Sequence, residues 1–163
     1  MTINGQDLMV FVKESTGNYK SIAFATNHTL DVSMEQIDAS TKDNGVGYWS
    51  NSEPGMMSWS MTTENLMSDS GENGYDYNQL FKLMLERKTV EVCFGLQSNG
   101  THDINTEYQA PPTGWTVSEG YYHGKAFITS LSVTATNGEK ATYSATFTGA
   151  GALLLQEPGI KKN

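Results

Sequence analysis

The sequence predicts a mainly β protein with a single α-helix lying on a sheet, and three observations carry that reading. Apolar and polar residues alternate strictly in several separate stretches, notably Leu30, Val32 and Met34, then Met57, Trp59 and Met61, then Val90, Val92, Phe94 and Leu96. One stretch instead repeats at helical spacing, with Tyr77, Leu80, Phe81 and Met84 at i, i+3, i+4 and i+7. Between them lie clusters of Gly, Asn, Asp, Ser and Pro that favour turns.

Asp7 to Val12 reads as a short apolar strand, and a Ser-Thr-Gly-Asn turn at Ser15 to Asn18 leads to a second strand from Ser21 to Thr26. Thr29 to Ile37 alternates, and the pattern stops at Asp38, where a long loop, 38–55, begins. Loops of that length in compact domains are functional or disordered as a rule. This one holds an aromatic pair, Tyr48 and Trp49, among turn formers. Asp76, with Gln79 three residues on, forms a capping-box signature for the helix, and Arg87 and Lys88 suit its C-terminal dipole. Thr89 to Gln97 is the cleanest strand, with Cys93 as a small packed side chain on its second face. Ser98 to Gly120, with Pro111-Pro112, reads as an insertion, 98–120.

The chain closes in a hairpin, Phe127 to Ala135 with Glu139 to Phe147, joined through Thr136, Asn137 and Gly138. A three-residue loop with Gly138 in the left-handed conformation pairs Val133 with Ala141, Leu131 with Tyr143 and Phe127 with Phe147, giving one mostly apolar face. A two-residue turn would set each apolar residue against a Ser or Thr. The opposite face carries Ile128, Ser130, Ser132, Thr134, Thr142, Ser144, Thr146 and Thr148, with no charge. Exposed strands usually carry charge against stray pairing, so this face either meets something else or reflects the strand propensity of Thr. A glycine-hinged tail, 149–163, follows; its triplet Leu153, Leu154 and Leu155 fits either a partner surface or the closing of the domain's own core.

The length, 163 residues, suits one domain spanning 1–163. Ten basic against eighteen acidic residues give a formal charge of −8, which argues against gripping nucleic-acid phosphates. No apolar run approaches a membrane span, and the first residues lack the pattern of a secretory signal, so the product is expected to stay where it is made. A lone cysteine suits a reducing compartment and excludes an internal disulfide. His28, His102 and His123 lie far apart, and no hydrolase, phosphate-loop or dinucleotide motif occurs, so neither catalytic nor metal-binding residues are expected, and no cofactor. Tyr48, Trp49, Trp59, Trp115, Tyr121 and Tyr122 leave one binding alternative open, an aromatic platform for carbohydrate on a β-sandwich.

Several stretches together resemble the bacteriophage major tail proteins, the tail tube family. They are Gly5 to Val12, the loop entry Ile37 to Gly45 leading to Trp49, Trp59-Ser60-Met61-Thr62, the helix from Tyr77 to Lys88, Gly124 to Val133, and Tyr143 to Gly149. The resemblance implies a β-barrel or β-sandwich with one flanking α-helix, and a structural virion protein, not an enzyme. It implies self-assembly into stacked, hexameric rings in the phage tail, built in the bacterial cytoplasm. Its partners would be further copies of itself and other tail proteins, with DNA only as transiting cargo and no membrane. A tube of a tailocin or secretion-type injection system is the neighbouring alternative. On this reading Lys42, Asp43, Asn44, Tyr48 and Trp49 in the loop, with Leu153, Leu154 and Leu155, contact a neighbouring subunit or ring. The fold should depend on Trp59, Leu80, Phe81, Met84, Phe127, Leu131, Gly138, Tyr143 and Phe147.

Overall fold

The computed structural model describes residues 2–43, 47, 49–69, 73–97, 111 and 113–155. The elements run β1 (Leu8–Lys13), β2 (Tyr19–Ser21), β3 (Ala25–Asp38), β4 (Ser52–Leu66), α1 (Tyr77–Leu85), β5 (Val90–Gln97), β6 (Val117–Thr134), β7 (Thr142–Gly149) and β8 (Leu154–Leu155). All strands join one antiparallel sheet in the order β2-β1-β5-β6-β7-β4-β3, with β8 alongside β6. Of the two forms expected, a closed barrel is absent: β2 and β3 end the sheet and do not pair with each other.

Strand β6 is shared by two halves. Its first part pairs with β5 as far as Ala126, and its second part pairs with β7 from Ala126 to Thr134. The halves face each other across one core, in which Val10, Val12 and Val92 of the first half meet Met61, Ala145 and Phe147 of the second, with Leu80 of α1. The other face of the first half is also covered, by a smaller cluster of Phe11, Cys93 and Trp115. Trp115, read as part of a surface platform, is buried; its backbone exchanges bonds with Ser21, whose N–H donates to the Trp115 carbonyl and whose Oγ accepts from the Trp115 N–H at 2.9 Å. The insertion therefore ends earlier than its composition suggests, since β6 begins at Val117; residues 98–110 and 112 lie outside the described ones.

The helix begins where the capping box places it. Asp76 accepts from the Gln79 N–H at 2.8 Å, and the Gln79 side chain accepts from the Asp76 N–H at 3.3 Å. It ends sooner than expected, with Arg87 turned to φ 54°. Leu80 is fully buried and Met84 packs on the core. Phe81, taken as a fold residue, instead faces out, stacked on Tyr77 with ring centroids 6.3 Å apart. A nine-residue helix lying on a sheet buries a narrow stripe, and Phe81 falls at its margin. The second strand also divides: β2 stops at Ser21, and a turn with Phe24 at φ 52° precedes β3.

The final hairpin departs from the expected register. Val133 pairs with Tyr143 and Leu131 with Ala145, so the connection runs from Ala135 to Ala141. Gly138 sits at φ 85°, and the Glu139 N–H donates to the Thr136 carbonyl at 3.1 Å, closing a turn that only a residue without a Cβ adopts readily. A bulge between Ile128 and Ser130 then inserts Thr129 as an extra residue. Because side chains alternate with period two, that residue exchanges the faces beyond it. Ile128 pairs with Phe147 and is buried with Ala126, while Phe127, placed in the core by simple alternation, is 41% exposed.

Candidate assembly surface

Strands β3 and β4 outrun the core they belong to. Their ladder continues from Leu30–Met61 through Val32–Trp59 and Met34–Met57 to Asp38–Ser52, so the loop expected over 38–55 is a long hairpin arm with a shorter tip, 39–51. Trp59, Met61 and Leu30 pack in or against the core; farther out the same stripe carries Val32, Met34 and Met57 into solvent, with Met34 54% and Met57 63% exposed. Met56, next to Met57 along β4, is 80% exposed. At these positions β4 has only β3 as a partner, which is why Pro54 is tolerated within the strand. Gly55 crosses the bulge at Glu35 so closely that a Cβ would lie 2.9 Å from the Glu35 carbonyl oxygen.

The base of the tip is tied down. The Ala39 N–H donates to the Asn51 carbonyl at 2.8 Å, and the Asn51 N–H donates to Ser40 Oγ at 2.9 Å. Asp38 accepts from the Ser40 N–H at 2.9 Å, and this bond holds its carboxyl below the usual range. Of the expected contact residues, Lys42 and Asp43 are exposed, Trp49 is 81% exposed, and Asn44 and Tyr48 lie outside the described residues. In the tail Leu153 packs on the core, while Leu154 and Leu155 form β8 beside His123 and Tyr122 with their side chains exposed. The triplet thus divides: Leu153 closes on the core, and Leu154 and Leu155 do not. Sequence reasoning missed Val32, Met34, Met56 and Met57 as surface residues, because alternation looks the same whether or not a core lies beneath it. The signal was strand length: β3 and β4 span 14 and 15 residues, against the usual five or six, roughly.

The outer face of the block β3-β4-β7-β6 carries the hydroxyls. In register across it stand Thr29, Asp31 and Ser33; Ser58, Ser60, Thr62 and Glu64; Thr142, Ser144, Thr146 and Thr148; and Ser130, Ser132 and Thr134. Ser33 and Ser58 share a hydroxyl bond at 2.9 Å, as do Thr129 and Thr148. Asp31 and Glu64 are the only ionisable groups among these positions, and both are acids. The block also has two unpaired edges, β3 on one side and the 127–134 segment of β6 on the other, which no described strand covers. The long β3 edge contains neither Lys nor Pro, the usual protections against pairing.

A polar contact links the two ends of the sheet. His28 of β3 points inward, and its Nδ1 accepts from the Val10 N–H of β1 at 3.3 Å. Burial pushes the imidazole pKa down to about 4 from 6.5. The unfolded chain therefore takes up this proton before the folded one does, so stability is full above pH 6.5 and falls as pH drops toward 4. The loss is expected to reach about 3 kcal/mol. Denaturant titrations at about pH 7 and about pH 4.5 check it, and His28→Gln should flatten the dependence in that window.

No helix among the described residues is long and apolar enough to cross a membrane, and no group of three or more His, Cys, Asp or Glu is placed to hold a metal ion. Trp59 and Trp115, two of the aromatics considered for a carbohydrate platform, are both buried.

Among the described residues the chain thus combines a single open sheet and one helix with a projecting arm and a charge-poor face. The chain matches the family model for phage tail tube protein over residues 2–154, and it belongs to that family. In fold it is similar to the tail of an empty gene transfer agent particle, solved by helical refinement with C6 symmetry, with a TM-score of 0.71 at 18% identity over 96% of this chain and 100% of that one. A subunit of the native gene transfer agent virion gives 0.66 at 19% identity, again over 96% and 100%. The SPP1 tail tube gives 0.60 at 12% identity, over 95% of this chain and 80% of that one. No curated protein matches.

Proposed function

We propose that this chain assembles into six-membered rings that stack as the tube of a phage tail, with the hydroxyl face of β3-β4-β7-β6 lining the channel. The observation that carries the reading is that this block has an unpaired edge on each side and a face nearly free of charge. Pairing the β3 edge of one copy with the 127–134 edge of the next is head-to-tail, and such contacts close into a ring when the rotation permits. The six-fold symmetry of the similar gene transfer agent tail supports that number. A wall of hydroxyls with Asp31 and Glu64 as its only charges offers phosphates no cation to hold, so DNA would slide without binding. The arm, with its exposed apolar stripe and tip, would reach the adjacent ring, and Leu154 and Leu155 would contribute a second contact. In this role the protein is no enzyme; it would assemble in the bacterial cytoplasm on other tail proteins.

Electron micrographs of the purified protein over a concentration series test the assembly: rings and hollow tubes are expected, and a persistent monomer together with glycan binding would overturn it. The lining is tested separately by Ser132→Cys. Cys93 is buried, with its thiol pushed up to about 12, so the new thiol alone should take a maleimide-linked heavy-atom cluster. Added density inside the channel is expected; density on the outer wall would refute the assignment. Asp31→Lys with Glu64→Lys should slow DNA release from assembled particles about tenfold or more at low salt, with recovery as salt screens the new cations.

A further inference from the structure

We propose that the arm makes assembly sensitive to oxidation: hydrogen peroxide converts Met34, Met56 and Met57 of the free subunit to sulfoxides, and the oxidised arm no longer docks on a second copy of the chain. The inference rests on the reading of the arm as an assembly surface. Among the described methionines, Met34, Met56, Met57 and Met67 are exposed, and three of these four stand on the arm. Met34 and Met57 are direct cross-strand partners, so their thioethers lie side by side on one face. Met61 continues the same stripe inward and is fully buried, which gives a matched control within one strand.

The chemistry needs nothing beyond the peroxide. A sulfur lone pair attacks one peroxide oxygen, the O–O bond breaks as the S–O bond forms, and the second oxygen leaves as water after proton transfer. Sulfur loses two electrons and peroxide gains them. The product replaces a flexible apolar side chain with a strongly dipolar acceptor. In the free subunit all three sulfoxides remain hydrated, so the fold is unaffected. Against a partner surface they would be stripped of water with no donor supplied. Methionine suits such a contact because its soft, unbranched chain adapts to the surface it meets. Once the contact forms, the sulfurs are covered, so an assembled tube resists peroxide where the free subunit does not.

Peroxide treatment of free subunits and of assembled tubes, followed by peptide mass spectrometry and sedimentation, tests this. In free subunits Met34, Met56 and Met57 should oxidise about tenfold faster than Met61, and the concentration needed for assembly should rise about tenfold. In tubes the three arm sulfurs should be protected by a similar factor. The triple variant Met34→Leu, Met56→Leu, Met57→Leu should assemble before and after peroxide, whereas Met67→Leu with Met84→Leu should stay sensitive. Unimpaired assembly of oxidised wild type, sensitivity of the arm triple variant equal to wild type, or resistance of the Met67/Met84 variant would each overturn the proposal. Failure of the underlying reading looks different: the unoxidised Met34→Asp/Met57→Asp chain would still form tubes.

Discussion

Trp59→Ala is expected to lower the unfolding free energy by about 3–5 kcal/mol, the range for removing a buried aromatic side chain from a core that only partly collapses around the gap. The indole is 6% exposed and joins four parts of the chain. From β4 it lies against Gly124 of β6 and Gly149 of β7, and its Nε1–H donates to the Gly151 carbonyl at 2.8 Å. Both glycines are present because the ring occupies the place of their side chains. A Cβ on Gly149 would fall 2.3 Å from Trp59 Cε2, and one on Gly124 would fall 2.7 Å from Cζ2 and 2.9 Å from the Ala152 carbonyl oxygen. Gly149→Ala should therefore cost about 1–3 kcal/mol by overpacking from the opposite side of the same contact. Against a total stability of roughly 5–15 kcal/mol, either loss is large. Urea titration monitored by far-UV circular dichroism reads both, and a Trp59→Ala shift below about 1 kcal/mol would refute the account. Combining Trp59→Ala with Gly149→Ala should cost less than the two effects added, because each removes the other's partner.

The residues that were easiest to place obey local rules. Asp76 and Gln79 mark the helix start through bonds within four residues, and Gly138 marks a turn through its own φ. Strand β5 alternates, although Cys93 on its second face is also buried because a second cluster covers that side. What escaped the sequence depends on distant partners. Thr129 looks like any other Thr in a strand, yet as a bulge it turns Ile128 in and Phe127 out. Trp115 sits among Pro, Gly and Thr with no periodicity, and only its bonds to Ser21, far away in sequence, hold it in a core. The arm was hidden for a similar reason: on β4 the apolar alternation begins only at Met57, whereas main-chain pairing with β3 already begins at Ser52, and pairing leaves no mark on side-chain pattern. The hydroxyl face was legible from β6 and β7 alone, but its extension over β4 and β3 needed the strand order.

Met34→Asp with Met57→Asp should abolish tube formation while leaving the subunit folded. Both side chains are more than half exposed and face each other on a two-stranded ribbon beyond the core. In the free subunit the new carboxylates stay hydrated, so the denaturation midpoint should move by no more than about 0.5 kcal/mol in stability, plus the mild repulsion of like charges across strands. In a tube the same face would be covered. Stripping water from an unpaired carboxylate costs several kcal/mol in real proteins, and a docked arm would bear that penalty twice in every subunit. A two-stranded ribbon alone is marginal in water, so an arm of this length is itself an argument for a covering partner. The conservative pair Met34→Leu and Met57→Leu keeps the face apolar and should assemble as wild type does. Electron microscopy and sedimentation at matched concentrations separate the cases. Tubes of normal length from the doubly acidic chain would show that this face stays in water, and the contact between rings would then have to be sought at the tip around Trp49 or at Leu154 and Leu155.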